Sequence, residues 1–430
     1  MNRRMSCALS IVVTAVTVAA CSGPRPSAQE GNSGTASAGA GQNVAAQNVP
    51  ALDKTGWTDT VYEKLTGIIA GSAGQGKTVV FDFDNTTQAR DISEAMLAQA
   101  QKADVINPKT LSPAMFPPFT TADGKQMAIS AGIYDYYEAL LDSGGDADPF
   151  REYSSLPMPA SVFSGRTVGD FVAQTSAVYD GGSGAEDLKS GSQSKILSAG
   201  RPFIYPQMAD LYGNLRSHGY DVWVVSAGIG WAVRWMVANA LNPAIVAKYG
   251  KDAALPLDHV VAVTTLMKDR STGKLVSDYQ LTHQNPDAAY INLEPARIAQ
   301  LEILALPDGL TSWRGGKSGA IDNIITRGEL FMAAGDSFGD VEMLNRAPNR
   351  LVVSRMNKPD LAAGFAGEIA KAPDATWMLQ PAINSAPVGF LPSKCEMATK
   401  TASDSEGTAK TDKSLGALEP TGRLGSFVDC

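Results

Sequence analysis

Four short groups, widely separated along the chain, contain residue types that could act together on a phosphate. Asp82-Phe-Asp84-Asn-Thr86 sets two carboxylates at i and i+2, which face one side of an extended segment. Carboxylates so close repel when both are ionised, so one keeps its proton unless a cation intervenes, which suits a nucleophile beside an acid. Ser226-Ala227-Gly228 offers a hydroxyl and a backbone N–H, Gly316-Lys317 a cation, and Gly335-Asp336-Ser-Phe-Gly-Asp340 two more acids. Phosphoryl transfer mostly needs positioning and charge neutralisation, and these are its parts. A second phosphate pattern lies just upstream, because Gly71 to Thr78 reads G-x-x-x-x-G-K-T.

The elements that would position these residues decide between the two patterns. Trp57, Val61, Tyr62, Leu65, Ile68 and Ile69 recur at helical spacing, and Gly71 follows as a terminator. Thr78-Val-Val-Phe then reads as a buried strand. A nucleotide-cradling loop leaves a strand and enters a helix, so that a helix N-terminus faces the phosphates. Here the order is reversed, and no nucleotide-loop ligand is expected; the segment reads as a Gly-rich connection. Asp82, by contrast, falls at the C-terminal end of its strand, where crevices of open α/β sheets form. A helix from Tyr205 to His218, strand Asp221–Val225 and a helix from Trp231 to Ala240 continue the rhythm. A hairpin is expected from Val260–Leu266 and Lys274–Asp278 across Asp269–Gly273. A helix carrying Ile321, Ile324 and Ile325 leads to strand Leu330–Ala334. Strands alternating with helices imply an α/β fold with a mainly parallel, doubly wound sheet.

Bulk composition narrows the partners. The chain has 430 residues, 44% hydrophobic and 19% charged, with a net charge of -8, enough for about two to three domain-sized units. No basic stripe occurs, and no nucleic-acid partner is expected. Arg3 and Arg4 precede an apolar run from Cys7 to Ala20, shorter than the roughly 18 residues a membrane span needs. Residues 1–20 therefore read as a signal peptide. Residues 21–55 read as a flexible tether rich in Gly, Ser, Ala and Gln, and 396–430 as a low-complexity tail. Residues 95–200 lack the strand-helix rhythm and read as an insertion into a core made of 56–94 and 201–395. His218, His259 and His283 show no metal-ligand spacing.

The ordered set of four motifs resembles the phosphatases of the haloacid-dehalogenase-like superfamily over about residues 78–350. The resemblance implies a Rossmann-like core with a mostly helical cap inserted. It makes Asp82 the nucleophile that becomes an aspartyl-phosphate, and Asp84 the group that protonates the leaving alkoxide and later activates water. Ser226 and Lys317 would hold phosphoryl oxygens. Mg2+ would be bound by Asp82, the main-chain carbonyl of Asp84 and Asp336, with Asp340 in support. Val18-Ala19-Ala20-Cys21 resembles a bacterial lipobox, implying a lipid on Cys21 and an exported chain anchored to a cell membrane, on its periplasmic or outer face. Cys7 and Cys21 being consumed, Cys395 and Cys430 remain as a possible disulfide.

The resemblance implies a small phosphomonoester substrate whose leaving group would be read by the cap. Glu94, Tyr134, Tyr136, Tyr137 and Asp142 would make an aromatic and acidic pocket for a cation such as choline, with Ala227 and Gly228 at its phosphate end. Phe81-Asp-Phe-Asp-Asn-Thr-Thr87, Tyr134-Asp-Tyr-Tyr137, Val162-Phe-Ser-Gly-Arg-Thr167 and Thr264-Thr-Leu-Met-Lys-Asp-Arg270 resemble the bacterial phosphorylcholine phosphatases, with Glu138 standing where another tyrosine is expected. Phosphoserine is the rival; its carboxylate would call for a cation, with Arg151, Arg166 or Arg234 as candidates. A lipid-anchored binding or envelope protein without turnover is the alternative of another class.

Overall fold

The run Thr78-Val-Val-Phe forms β1 (Thr78–Phe81), every residue of it buried. Val79 and Phe81 enter one hydrophobic core and Val80 a second, as expected of a strand covered on both faces. In the computed structural model the described residues are 49–144, 149–180, 201–308, 312–325, 328–384, 388–428 and 430. The leader, Cys21 and the tether to residue 48 lie outside them. Among the described residues no helix is long and apolar enough to cross a membrane.

Six further strands complete the central sheet: β2 (Asp221–Ile229), β3 (Val260–Val263), β4 (Leu330–Gly335), β5 (Asn349–Arg355), β6 (Thr376–Ile383) and β7 (Gly389–Phe390). Their order is β7-β6-β5-β4-β1-β2-β3, parallel except for the β6/β7 pair. This is an α/β doubly wound fold. Because β1 lies between β4 and β2, the chain leaves it in opposite directions on its two sides, which opens a crevice at the carboxyl ends of these strands. Asp82 and Asp336 directly follow β1 and β4, and Ser226 lies in the part of β2 that runs on past the end of β1, whose last pair is Phe81 with Val224. The GSAGQGKT segment joins α1 (Asp59–Ser72) to the opposite, amino end of β1, and Lys77 faces Glu329 there at 3.7 Å.

Between β1 and β2 the described residues are mostly helical: α2 (Ile92–Lys102), α3 (Ile133–Gly144), and shorter or later helices at Pro149–Ser155, Met158–Ser161 and Val168–Asp180. Since α2 starts at Ile92, the expected boundary of the insertion at 95 falls inside a helix. The expected hairpin is also shifted. Val260–Val263 is fully buried and enters the central sheet as β3, whereas Thr265–Asp269 alternates in burial and pairs antiparallel with Leu275–Val276 and Leu301–Pro307. Full burial against alternation is what separates an interior parallel strand from a one-sided sheet.

Both expected ends of the core need correction. Leu52 is buried, the Pro50 carbonyl accepts from Asn214 Nδ2 at 3.0 Å, and the Ala51 carbonyl accepts from Lys248 Nζ at 2.9 Å, so the tether stops before 55. Residues 396–430 are not a low-complexity tail. Helices Lys394–Thr401 and Ser405–Leu418 bring Leu415, Leu418, Leu424 and Phe427 into the second core. These apolar residues are few among Lys, Thr, Ser and Gly, with Leu418 and Leu424 six positions apart, so no continuous periodic stripe marks them in the sequence. A disulfide joins Cys395 to Cys430, with Cα atoms 5.4 Å apart. Closing a loop of 35 residues restricts the unfolded chain, by an amount worth about 2–4 kcal/mol. Cys430→Ser is accordingly expected to lower unfolding stability by that amount in denaturant titrations, and reductant should bring the parent protein to the same midpoint.

Candidate active site

At the end of β1 the ladder continues one residue further, because Asp82 N donates to the Ala334 carbonyl at 2.9 Å. This fixes the Asp82 backbone beside β4 and points its carboxylate into the crevice. Lys317, in the first turn of α4 (Gly315–Asn323), reaches the same point and donates to Asp82 Oδ1 and Asp340 Oδ1, both at 2.6 Å. The lysine is 2% exposed, so its charge is tolerated only because two carboxylates face it. Burial alone would lower its pKa; Asp340 and Asp82 outweigh that and raise it. Burial and the nearness of Asp340 in turn raise the Asp82 carboxyl well above the usual range, the electrostatic consequence of crowding acids in a dry site.

Asp340 braces the loop after β4. Its Oδ2 accepts from the backbone N–H groups of Asp336 and Ser337, each at 3.0 Å, and from the Ser337 hydroxyl at 3.1 Å. With Lys317 on Oδ1, both its oxygens are engaged. Thr86 lies between the other two acids, its hydroxyl 3.1 Å from Asp82 Oδ2 and 3.2 Å from Asp336 Oδ1. One hydroxyl has one proton to donate, so one of these oxygens is always left short of a donor.

Asp84 is built differently. Its Oδ1 accepts from Gln88 Nε2 at 2.5 Å and Ile92 N at 3.1 Å, while the buried Oδ2 has no hydrogen-bond partner. Burial, then Asp91 and Asp82, raise its pKa well above the usual range. A carboxyl with one oxygen held and the other free is arranged to keep a proton on the free oxygen and give it up. Gly228 makes room for it: a Cβ there would lie 2.4 Å from Asp84 Oδ2 and 3.2 Å from Ser226 Oγ. Ser226 is buried, and its Oγ accepts from Gly228 N at 3.0 Å. Gly228→Ala is therefore expected to push Asp84 aside and reduce kcat by about 100-fold, the usual consequence of misplacing a catalytic group by an ångström, with little change in the far-ultraviolet circular dichroism.

These groups open onto a cavity of about 210 Å3 that also includes Glu94, Asp91, Tyr137, Trp313 and Arg355. Ala227 and Gly228 line it as expected. The expected tyrosine cluster is divided by helical phase. Tyr137 and Leu141, four apart on α3, face this cavity. Tyr136 and Leu140 face a separate apolar cavity of about 580 Å3, where Tyr136 OH donates to the Pro117 carbonyl at 2.8 Å. Tyr134 is buried without lining the first cavity, and the Asp142 side chain lies outside the described residues. The three arginines considered for a carboxylate are engaged elsewhere: Arg151 on the Thr120 carbonyl, Arg166 on that of Val105, and Arg234 in a buried pair with Asp278.

Two charged residues of the cavity escaped the motif search. Asp91 caps α2, accepting from Ser93 N and Glu94 N; an acid before an apolar helix was the available signal. Arg355 ends β5 and sits 2.7 Å from Asp336 Oδ2. A cation closing the buried run Leu351-Val-Val-Ser passes the same strand-end test that singled out Asp82.

The donor set suits a hard divalent cation. Asp82, Asp336 and Asp340 place carboxylate oxygens within 4.8 Å of one another, all buried, and such ions prefer carboxylate oxygens; with both Asp340 oxygens engaged, Asp82 and Asp336 are the two of these acids with an oxygen open to an ion. The oxygens of Asp82 and Asp336 that share the Thr86 proton are the ones left short of positive charge. The Asp84 carboxylate is not in this group.

Comparison with known proteins adds an independent line. The chain is 26% identical over 284 residues to the phosphorylcholine phosphatase of Pseudomonas aeruginosa, covering 65% of this chain and 74% of that protein. No protein-family model matches. Among solved structures, a conserved protein of unknown function from Anaerococcus prevotii aligns with a TM-score of 0.49 at 18% identity, over 80% of this chain and 97% of its own. A phosphoserine phosphohydrolase-like protein from Francisella tularensis aligns with a TM-score of 0.30 at 16% identity, over 64% and 87%.

Proposed function

We propose that the protein hydrolyses small phosphomonoesters in two steps through a phosphorylated Asp82, with Mg2+ as cofactor and a phosphocholine-like substrate favoured. That the chain is a phosphoric monoester hydrolase rests on its similarity to a named phosphatase over 65% of its length. The mechanism rests on one observation: Asp82 is held by Lys317 while Asp84, two residues on, keeps an unpartnered buried oxygen. In the first step an Asp82 oxygen attacks phosphorus, the bond to the leaving oxygen breaks, and Asp84 gives that oxygen its proton. In the second, Asp84 takes a proton from water, the water oxygen attacks phosphorus, and the bond to Asp82 breaks to release phosphate. Lys317 and the Ser226 hydroxyl hold phosphoryl oxygens and neutralise their charge. Asp82, Asp336 and the Asp84 carbonyl would hold Mg2+, which supplies further charge neutralisation. The two neighbouring oxygens sharing one hydroxyl proton support that assignment.

For the leaving group, Glu94, Asp91 and Tyr137 make the far part of the cavity acidic with one aromatic face. A cation over a single ring gains about 0.5–2 kcal/mol, so the carboxylates must carry most of the recognition. The similarity to a phosphorylcholine phosphatase favours choline. Phosphoserine stays as a second reading because Arg355 places a cation beside those acids. Intact Asp82, Asp84, Lys317 and Asp336 count against a binding protein without turnover. Export and a lipid on Cys21 are part of the proposal; Cys21→Ala should release the protein from membranes.

The deciding experiment compares kcat/KM for phosphocholine, phosphoethanolamine and phosphoserine, with and without a chelator. Highest efficiency on phosphocholine, lost on chelation and restored by Mg2+, is expected. A preference for phosphoserine would reverse the substrate assignment, and activity indifferent to chelation would remove the metal.

A further inference from the structure

We infer that Arg355 is a metal-selectivity residue: it withholds one oxygen of Asp336, so that the site presents single carboxylate oxygens and favours Mg2+ over Ca2+. The inference rests on the metal reading above, and it concerns which ion the site accepts.

The argument is an inventory of oxygen atoms. Asp340 has none to spare, since Lys317 takes Oδ1 and three donors of the Asp336–Ser337 segment take Oδ2. Asp82 Oδ1 is taken by Lys317 at 2.6 Å, leaving Oδ2. Asp336 Oδ2 is taken by Arg355, whose guanidinium nitrogen lies 2.7 Å away, leaving Oδ1. That contact is ionic, because the oxygen makes no aligned hydrogen bond, yet a cation so close both blocks the oxygen and consumes its charge. The two remaining oxygens, Asp82 Oδ2 and Asp336 Oδ1, are those that flank the Thr86 hydroxyl. Arg355 is itself mostly buried and fixed at the end of β5, so it cannot swing away freely.

The two ions need different things from such a site. Mg2+ is small, keeps several waters and is satisfied by one or two carboxylates. Ca2+ takes six to eight oxygens and commonly uses a carboxylate in bidentate fashion. Lys317 denies it the second oxygen of Asp82 and Arg355 that of Asp336. Of these two cations Arg355 can be removed without touching the residue that holds the nucleophile.

The test is calorimetric titration of the purified protein with Mg2+ and separately with Ca2+, with no substrate present. The parent protein is expected to bind Mg2+ more tightly. In Arg355→Met and Arg355→Gln the ratio of the two dissociation constants should move toward Ca2+ by about tenfold or more, whereas Arg355→Lys, which can still place a cation on Oδ2, should stay near the parent. Circular dichroism identifies a variant that has not folded, and the other neutral variant is then read. An unchanged ratio in a folded neutral variant would overturn the role of Arg355 and leave the metal assignment standing. Failure of the parent protein to bind either ion would overturn both.

Discussion

Asp82→Asn protein is expected to fold normally, to unfold no earlier than the parent and to lose turnover by about 10^4-fold or more, as when other covalent nucleophiles are removed. The amide nearly matches the carboxylate in shape, so its oxygen can still accept from Lys317 or Thr86, which now lie 2.6 and 3.1 Å from the carboxylate oxygens. It cannot form an acyl phosphate. Stability should hold or rise because the substitution removes one acid from a buried group in which Asp82, Asp336 and Asp340 repel one another. Substrate turnover, thermal unfolding and acid-quench trapping of a phosphoenzyme check the three parts. Turnover equal to the parent's would remove Asp82 from the chemistry.

Lys317→Met should harm stability as well as activity. The substitution keeps an unbranched side chain but leaves Asp82 Oδ1 and Asp340 Oδ1 buried without the ammonium that serves both. Removing one partner of a buried ion pair costs about 3–5 kcal/mol, and losing a charge that stabilises the transferred phosphoryl group costs about 10^2–10^3 in kcat. Saturating Mg2+ should restore part of the stability by supplying charge nearby, without restoring the rate. Denaturant titration in metal-free buffer gives the decisive number. If the variant is as stable as the parent there, the two aspartates are neutral in the folded protein and Lys317 is not their counter-ion.

Much of this site could be read from one dimension. A short apolar run that stops at a polar or acidic residue is a local signal, and the three such runs, followed by Asp82, Ser226 and Gly335-Asp336, are legible without knowing how the strands pair. The rejection of the nucleotide loop was equally local, since it needed only that a helix precedes Gly71–Thr78 and a strand follows. The C-terminal helices were missed because Leu415, Leu418, Leu424 and Phe427 are sparse among polar residues. Their burial comes from packing into the second core against residues distant in sequence.

The chain by itself thus determined the α/β class, the four candidate segments and the end of the sheet near which they meet, because alternation, caps and turns act over a few residues. Which side chains share the cavity was decided only in three dimensions. The phase of α3 sends Tyr137 to the cavity beside Asp82 and Asp84 and Tyr136 to its neighbour. The pairing of β5 with β4 brings Arg355 to Asp336, 19 positions earlier in sequence. Helix phase relative to a distant sheet, and the order of strands within it, are set by packing the whole core, and no short stretch of sequence contains that information.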